Sequence, residues 1–293
     1  MRKLFRSLLL ACLLTAGKTA VAQDDLLKLI DKKTDSVAAS PYVKQTFRNS
    51  RIVNAPTTET LRARQLDFRI THRFGNVAGE TGGYDNFFGL DEATNIRIAF
   101  DYGITDRLTI GVGRSKINGL LDGFAKYRLL RQTTENKMPV SVTAMGIAGY
   151  NSKRTSEKNI NRLSYVAQAI IARKITNTFS LELVPAFLHR NLVEFTDNNN
   201  TFALGVGGKL SLTKGTALVA DYYYIFSDFQ QNGDFHAPLG IGLEFDTRSG
   251  HVFHMNFTNA TGIMENQFLA GTRDSWFDGE FKWGFNISRI FKF

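Results

Sequence analysis

Five histidines are the first residues to weigh for chemistry: His72, His189, His236, His251 and His254. A structural or catalytic metal needs several donors converging on one point. His251 and His254 stand an odd number of residues apart, so on a strand they face opposite sides and cannot share an ion without a bulge. His72 falls on an apolar stripe near a strand end, where an interfacial position suits it better than ligation. Ser115, in "GRS", is a conceivable nucleophile, but no GxSxG surrounds it and no histidine stands at matching height. The glycine-rich "GVGRSKING" (111–119) and "GVGGKL" (205–210) fit neither GxxxxGK[ST] nor GxGxxG and read as strand, where glycine leaves room for large neighbours. The expectation is no catalytic residue, no cofactor and no metal.

Charge within a regular alternation is more informative. In "QLDFRITHRF" (65–74), Leu66, Phe68, Ile70, His72 and Phe74 point one way, against Asp67, Arg69, Thr71 and Arg73. In "NIRIAFDYGI" (95–104), Ile96, Ile98, Phe100, Tyr102 and Ile104 oppose Arg97, Ala99, Asp101 and Gly103. One face is apolar and the other polar. The residues expected to line an interior are Asp67, Arg69, Arg97, Asp101, Lys126, Arg128, Glu182 and Glu244. Gln168, Lys209, Asp221, Asp246, His254, Glu280 and Lys282 share their parity.

Twelve such segments follow one another, at about 62–74, 94–104, 107–115, 121–131, 139–150, 162–174, 178–189, 201–212, 216–226, 238–246, 250–258 and 280–293. Most have the length a tilted strand needs to cross a bilayer. Their links alternate. "TD" (105–106), "ITN" (175–177), "TKG" (213–215) and "DTRS" (246–249) are tight, whereas "GNVAGETGGYDNFFGLDEA" (75–93), "NSKRTSEKNIN" (151–161), "NLVEFTDNNN" (191–200) and "TGIMENQFLAGTRDSWFDG" (261–279) are long. That rhythm is the one expected of an outer-membrane barrel, with short periplasmic turns and long outer loops. "QTTENKMP" (132–139) is too long for it. A soluble sandwich requires no such rhythm and would have to bury the charged set, at several kcal/mol per isolated charge. A closed barrel in lipid turns its apolar face outward and satisfies its own backbone.

The two ends agree with this reading. Residues 1–22 have the form of a secretory signal: Arg2, Lys3 and Arg6, then "LLLACLLTA", then "AVAQ" with a cleavage point before Gln23. "LLAC" ending at Cys12 admits a lipoprotein signal as the rival. Removing the signal takes four of the 36 basic residues and leaves 32 against 27 acidic ones, a balance of +5 spread along the chain. Such scatter does not suit a nucleic-acid partner. After the signal no apolar run is long enough for a helical span. Residues 23–61 are expected to form an N-terminal periplasmic segment, with a short helix over 24–40 ended by Pro41 and an extended polar stretch beyond. At the other end Phe281, Trp283, Phe285, Ile287, Phe291 and Phe293 share one parity, interrupted by Arg289. Ile287, Phe291 and the terminal Phe293 resemble the signal by which barrel-assembly machinery recognises its clients.

The stretches "SRIVNAPTTETLRARQLDFRITHRFG" (50–75), "FFGLDEATNIRIAFDYGITDRLTIGVGRS" (87–115) and "DGFAKYRLLRQ" (122–132) resemble a Bacteroidota family of membrane-bound β-barrel domains of unknown function, number 5777. The resemblance implies an outer-membrane barrel over nearly the whole mature chain, and brings no activity or site with it. The expected fold is thus an all-β, antiparallel transmembrane barrel of about twelve strands over 62–293, in contact with outer-membrane lipid. For function, a narrow non-catalytic channel for small solutes stands first. A closed scaffold that docks partners stands second, and an outer-membrane enzyme third. Aromatic residues in the loops 75–93 and 261–279 (Tyr84, Phe87, Phe88, Trp276, Phe277) read as an interface girdle, with inward folding or partner binding as the alternative.

Overall fold

The computed structural model describes residues 40–153, 158–231, 234–247 and 251–293. The expected signal sequence, Cys12 and the helix predicted from residue 24 lie outside these residues. The chain divides into two units, Met1–Pro41 and Tyr42–Phe293, and the second holds all the strands named below.

Among the described residues, twelve antiparallel strands form a closed ring in which sequence neighbours pair. They are β1 (Gln65–Asn76), β2 (Ala93–Gly103), β3 (Leu108–Ser115), β4 (Leu120–Leu130), β5 (Ser141–Asn151), β6 (Leu163–Lys174), β7 (Phe179–Arg190), β8 (Asn200–Ser211), β9 (Thr216–Phe226), β10 (Leu239–Asp246), β11 (His251–Thr258) and β12 (Lys282–Lys292). Each predicted segment corresponds to one strand, with ends displaced by a few residues at most. The ring closes where β1 meets β12, in register from Gln65 opposite Lys292 to Asn76 opposite Lys282, with a shift after Arg73. Closure leaves no edge strand with unpaired backbone groups, which is what allows a sheet to stand in lipid.

Period-two alternation sorts the side chains. In β9, Ala217, Val219, Asp221, Tyr223 and Ile225 are buried inside the ring, while Leu218, Tyr222, Tyr224 and Phe226 stand exposed on its outer wall. Three of the tight turns are built alike. The hydroxyls of Thr105, Thr176 and Thr213 accept the backbone N–H three residues on, from Leu108, Phe179 and Thr216, at 3.0, 3.0 and 2.9 Å. A threonine in this place satisfies a turn donor locally and so favours the tight link over a longer one. The overlong link after β4 has its own explanation. It receives the incoming chain, pairing Thr133 with Tyr42, and its Gln132 carbonyl accepts the Val43 N–H at 2.9 Å.

Inside the ring lie two elements that are not part of it. Residues 42–61, assigned by sequence to the N-terminal segment, rise from the short-turn end as a finger and return to β1. From the long-loop end the β11–β12 connection turns inward as a helix. The two short α-helices among the described residues are α1 (Asp228–Gln231) and α2 (Glu265–Gly271), and α2 is the inserted one.

Candidate functional site

The finger has a hydrogen-bonded tip. Arg51 pairs with Pro56, and the Ile52 N–H donates to the Ala55 carbonyl at 2.8 Å. This turn presents three successive N–H groups, of Val53, Asn54 and Ala55, to one oxygen of Asp221 at 2.8, 2.7 and 3.1 Å. The Asn54 side chain donates to the other oxygen at 2.8 Å. A carboxylate that receives convergent donors is held by charge-assisted bonds, the stronger kind. Asp221 is therefore the anchor of the tip.

Below the tip the wall holds both limbs. Thr46 offers its carbonyl to Ser180 Oγ at 2.7 Å and Lys209 Nζ at 2.6 Å. The Thr58 carbonyl accepts from Arg128 Nε at 3.2 Å and Thr143 Oγ1 at 3.1 Å. Phe47, Ile52 and Val53 are buried, and each such side chain contributes about 1.5–3 kcal/mol on leaving water. Glycine makes the room. A Cβ on Gly240 would come within 2.6 Å of Val53, and one on Gly207 within 2.5 Å of Ile52.

From the opposite end, Met264 just before α2 and Phe268 and Leu269 within it pack with inward-facing Ile147, Val166, Leu188 and Tyr223. Phe268 meets the Tyr223 ring at 5.2 Å between centroids. This corrects the expectation that apolar side chains face outward and polar ones inward. The inner faces of β5 to β9 are largely apolar toward the long-loop end because they face α2 rather than water. The two inserts also touch. Arg51 Nη2 donates to both Glu265 oxygens, at 2.9 and 2.7 Å, and Gln168 Nε2 donates to one of them at 3.0 Å.

Of the residues expected to line the interior, Asp67, Arg69, Arg97, Asp101, Lys126, Glu182 and Glu244 are buried, and Arg128 is half-buried beside the finger. Asp67 accepts from Arg69 at 2.6 Å and from Ser288 at 2.8 Å, and Arg69 also reaches Asn49 on the finger at 2.8 Å. Arg97 clasps Asp122 with two bonds, at 3.0 and 2.5 Å. Lys126 donates to the Ser50 carbonyl at 3.3 Å, and Arg128 to Glu59 at 3.3 Å. Asp101 and Glu182 are buried against the same space. Glu244 lies 3.9 Å from Arg48 and 3.7 Å from His254. Ile287 and Phe291 belong to the outward face of β12, and Phe293 is exposed while its N–H donates to the Arg64 carbonyl at 3.1 Å. Of the loop aromatics, Tyr84, Phe87, Phe88 and Phe277 stand exposed, and Trp276 stacks on Phe281. The inward part of 261–279 is its Met, Phe and Leu residues instead.

The histidines are dispersed. His72 stacks on Phe285 on the outer wall, His189 Nδ1 lies 2.7 Å from Asn200, and His254 faces the interior. Among the described residues no group of three His, Cys, Asp or Glu side chains could hold a metal. Sequence reasoning missed Arg51, Asn54 and Glu265. Two signals were present: Ile52 and Val53 interrupt a polar stretch, and Met264, Phe268 and Leu269 lie on one helical face within a loop.

The geometry is that of a membrane barrel with an internally filled lumen. The chain belongs to the membrane bound beta barrel domain family (DUF5777), whose match covers residues 47–291 and so takes in most of the finger. No curated protein matches the chain. Solved structures with a similar course include the NanC porin, at 8% identity and TM-score 0.48 over 78% of this chain and 99% of that one. The KdgM porin aligns at 8% identity and TM-score 0.47 over 78% and 99% of the two chains. An outer membrane channel from Pseudomonas putida F1 aligns at 12% identity and TM-score 0.47 over 80% and 98%.

Proposed function

We propose that this protein is a non-catalytic outer-membrane barrel whose lumen is a narrow path for small polar solutes, closed by the finger and α2. Outer-membrane barrels keep their tight turns on the periplasmic side. The finger then enters from the periplasm and α2 from the exterior. One observation carries the reading. Polar cavities of about 520 Å³ at the short-turn end and about 310 Å³ at the long-loop end are separated by the inserts, with a cavity of only about 20 Å³ beside the finger. The barrier between them is made of side-chain and turn contacts, not of the wall. A closed scaffold is the second reading, favoured by the buried Arg97–Asp122 and Arg69–Asp67 pairs, which would brace an interior that never opens.

Single-channel recording of the refolded mature chain in planar bilayers separates the two. The wild type should open rarely, and Glu265→Gln should open more often because the contact between the inserts is weakened. Arg69→Gln, Arg97→Gln and Lys126→Gln should shift ion selectivity. Silence from every variant that still shows heat-modifiable gel mobility would remove the channel and leave the scaffold.

A further inference from the structure

The outer wall carries a feature that the lumen does not explain. Midway along β4 and β5 four neighbouring outward residues are small: Gly123, Ala125, Gly146 and Ala148 form the floor of an apolar groove of about 770 Å³. Phe100 and Tyr165 stand at its sides. Elsewhere outward positions are large, as in β9, so the wall is locally recessed. Register makes the groove two rows deep. Ile110, Ala125 and Gly146 lie side by side, and Val112, Gly123 and Ala148 form the next row toward the long-loop end.

The row above that runs Arg114, Leu121 and Tyr150 and so brings one cation to the rim of the groove. Arg114 lies opposite Leu121, two residues beyond Val112 on the same outward face, and is exposed. Lys153 joins it: a Cβ on Gly119 would lie 3.0 Å from Lys153 Cγ and 3.5 Å from Arg114 Nη2, so both side chains converge over that glycine. The acid nearest in register, Asp122, is turned into the lumen on Arg97. Lys158 is exposed on the same rim. Cations that no acid neutralises among the described residues, one pleat above a recess for hydrocarbon, match an amphiphile with a phosphate head and acyl tails.

We infer that the outer wall of β3 to β6 is a binding site for a phosphate-bearing lipid of the external leaflet, with acyl chains in the groove and phosphate on Arg114 and Lys153. The inference rests on the proposed orientation, with the long loops outside. The test is native mass spectrometry of the folded mature chain in detergent, offered bis-phosphorylated lipid A or the same lipid dephosphorylated. The wild type should retain the phosphorylated form preferentially, and Arg114→Gln with Lys153→Gln should reduce that preference by about thirty-fold. Gly146→Leu should diminish retention of both forms, since a Cβ there meets nothing within 4 Å and the change fills the groove without disturbing the wall. Equal retention of the two lipids, a preference that survives the double variant, or a second copy of the chain bound in the groove would each overturn the site. An epitope inserted after Lys158 that stays shielded on intact cells would overturn the orientation instead, whichever lipid binds.

Discussion

Asp221 shows how one side chain decides the state of the lumen. Its carboxylate takes three backbone donors and one side-chain donor from the finger tip, and hydrogen bonds to a charged group contribute about 1.5–3 kcal/mol each. Asp221→Ala should leave the tip amides unanswered and raise the hydrogen-exchange rates of Val53, Asn54 and Ala55 by roughly ten-fold or more. Unchanged protection of those three amides would mean the tip is held by packing alone. Arg51 and Glu265 pose a different problem, because Glu265 is fully buried, Arg51 nearly so, and each compensates the other. Arg51→Met strands a carboxylate and should lower stability by about 3–5 kcal/mol, whereas adding Glu265→Met should recover most of that loss. A denaturation series on both variants measures it, and equal losses would show that the pair is not coupled.

At the scale of elements, the finger and α2 fill a cylinder whose wall was shaped to receive them. Gly207 and Gly240 are small where Ile52 and Val53 press in, and the inner faces of β5 to β9 are apolar where α2 lies. Gly240→Val should therefore displace the tip while the ring, which pairs through backbone groups, survives. Limited proteolysis at residues 42–61 should become faster with heat-modifiable mobility retained; a finger as resistant as the wild type's would show that the wall yields instead. The link after β4 belongs to the same system, since its added length is used to hold Tyr42 and Val43. What looked like a break in the loop rhythm is the collar through which the chain enters.

For the whole molecule, the closed ring divides its surroundings into an interior and an outer wall. The last residue sits on that outer wall. Phe293 donates its backbone N–H to Arg64 and leaves its ring exposed. Phe293→Ala should refold in detergent as the wild type does, yet reach the membrane in cells in reduced amount if the terminal aromatic is read by assembly machinery. Equal membrane levels would remove that role. The ring also limits what any channel could be. A lumen occupied from both ends conducts only after one insert moves, so conductance and protease access to the finger should rise together across the variants.

The amino-acid sequence by itself determined the wall: twelve strands, the side of the sheet on which the charged residues lie, and most of the long and short links. Each of those is a local property, written in a period of two and in turn residues a few positions apart. Lys126, Glu244 and the other interior charges were legible for the same reason. Only the tertiary structure decided what those charges touch. Arg51 meets Glu265 from 214 residues away, and Asn54 reaches Thr258 across 204, separations over which no local pattern carries information. The finger lacks a period because it is neither helix nor strand, and α2, at seven residues, repeats its apolar spacing too few times to tell an inward helix from a surface one. Whether a lumen of mixed charge holds water or is filled depends on shape complementarity between distant segments, and that exists only once the ring has closed.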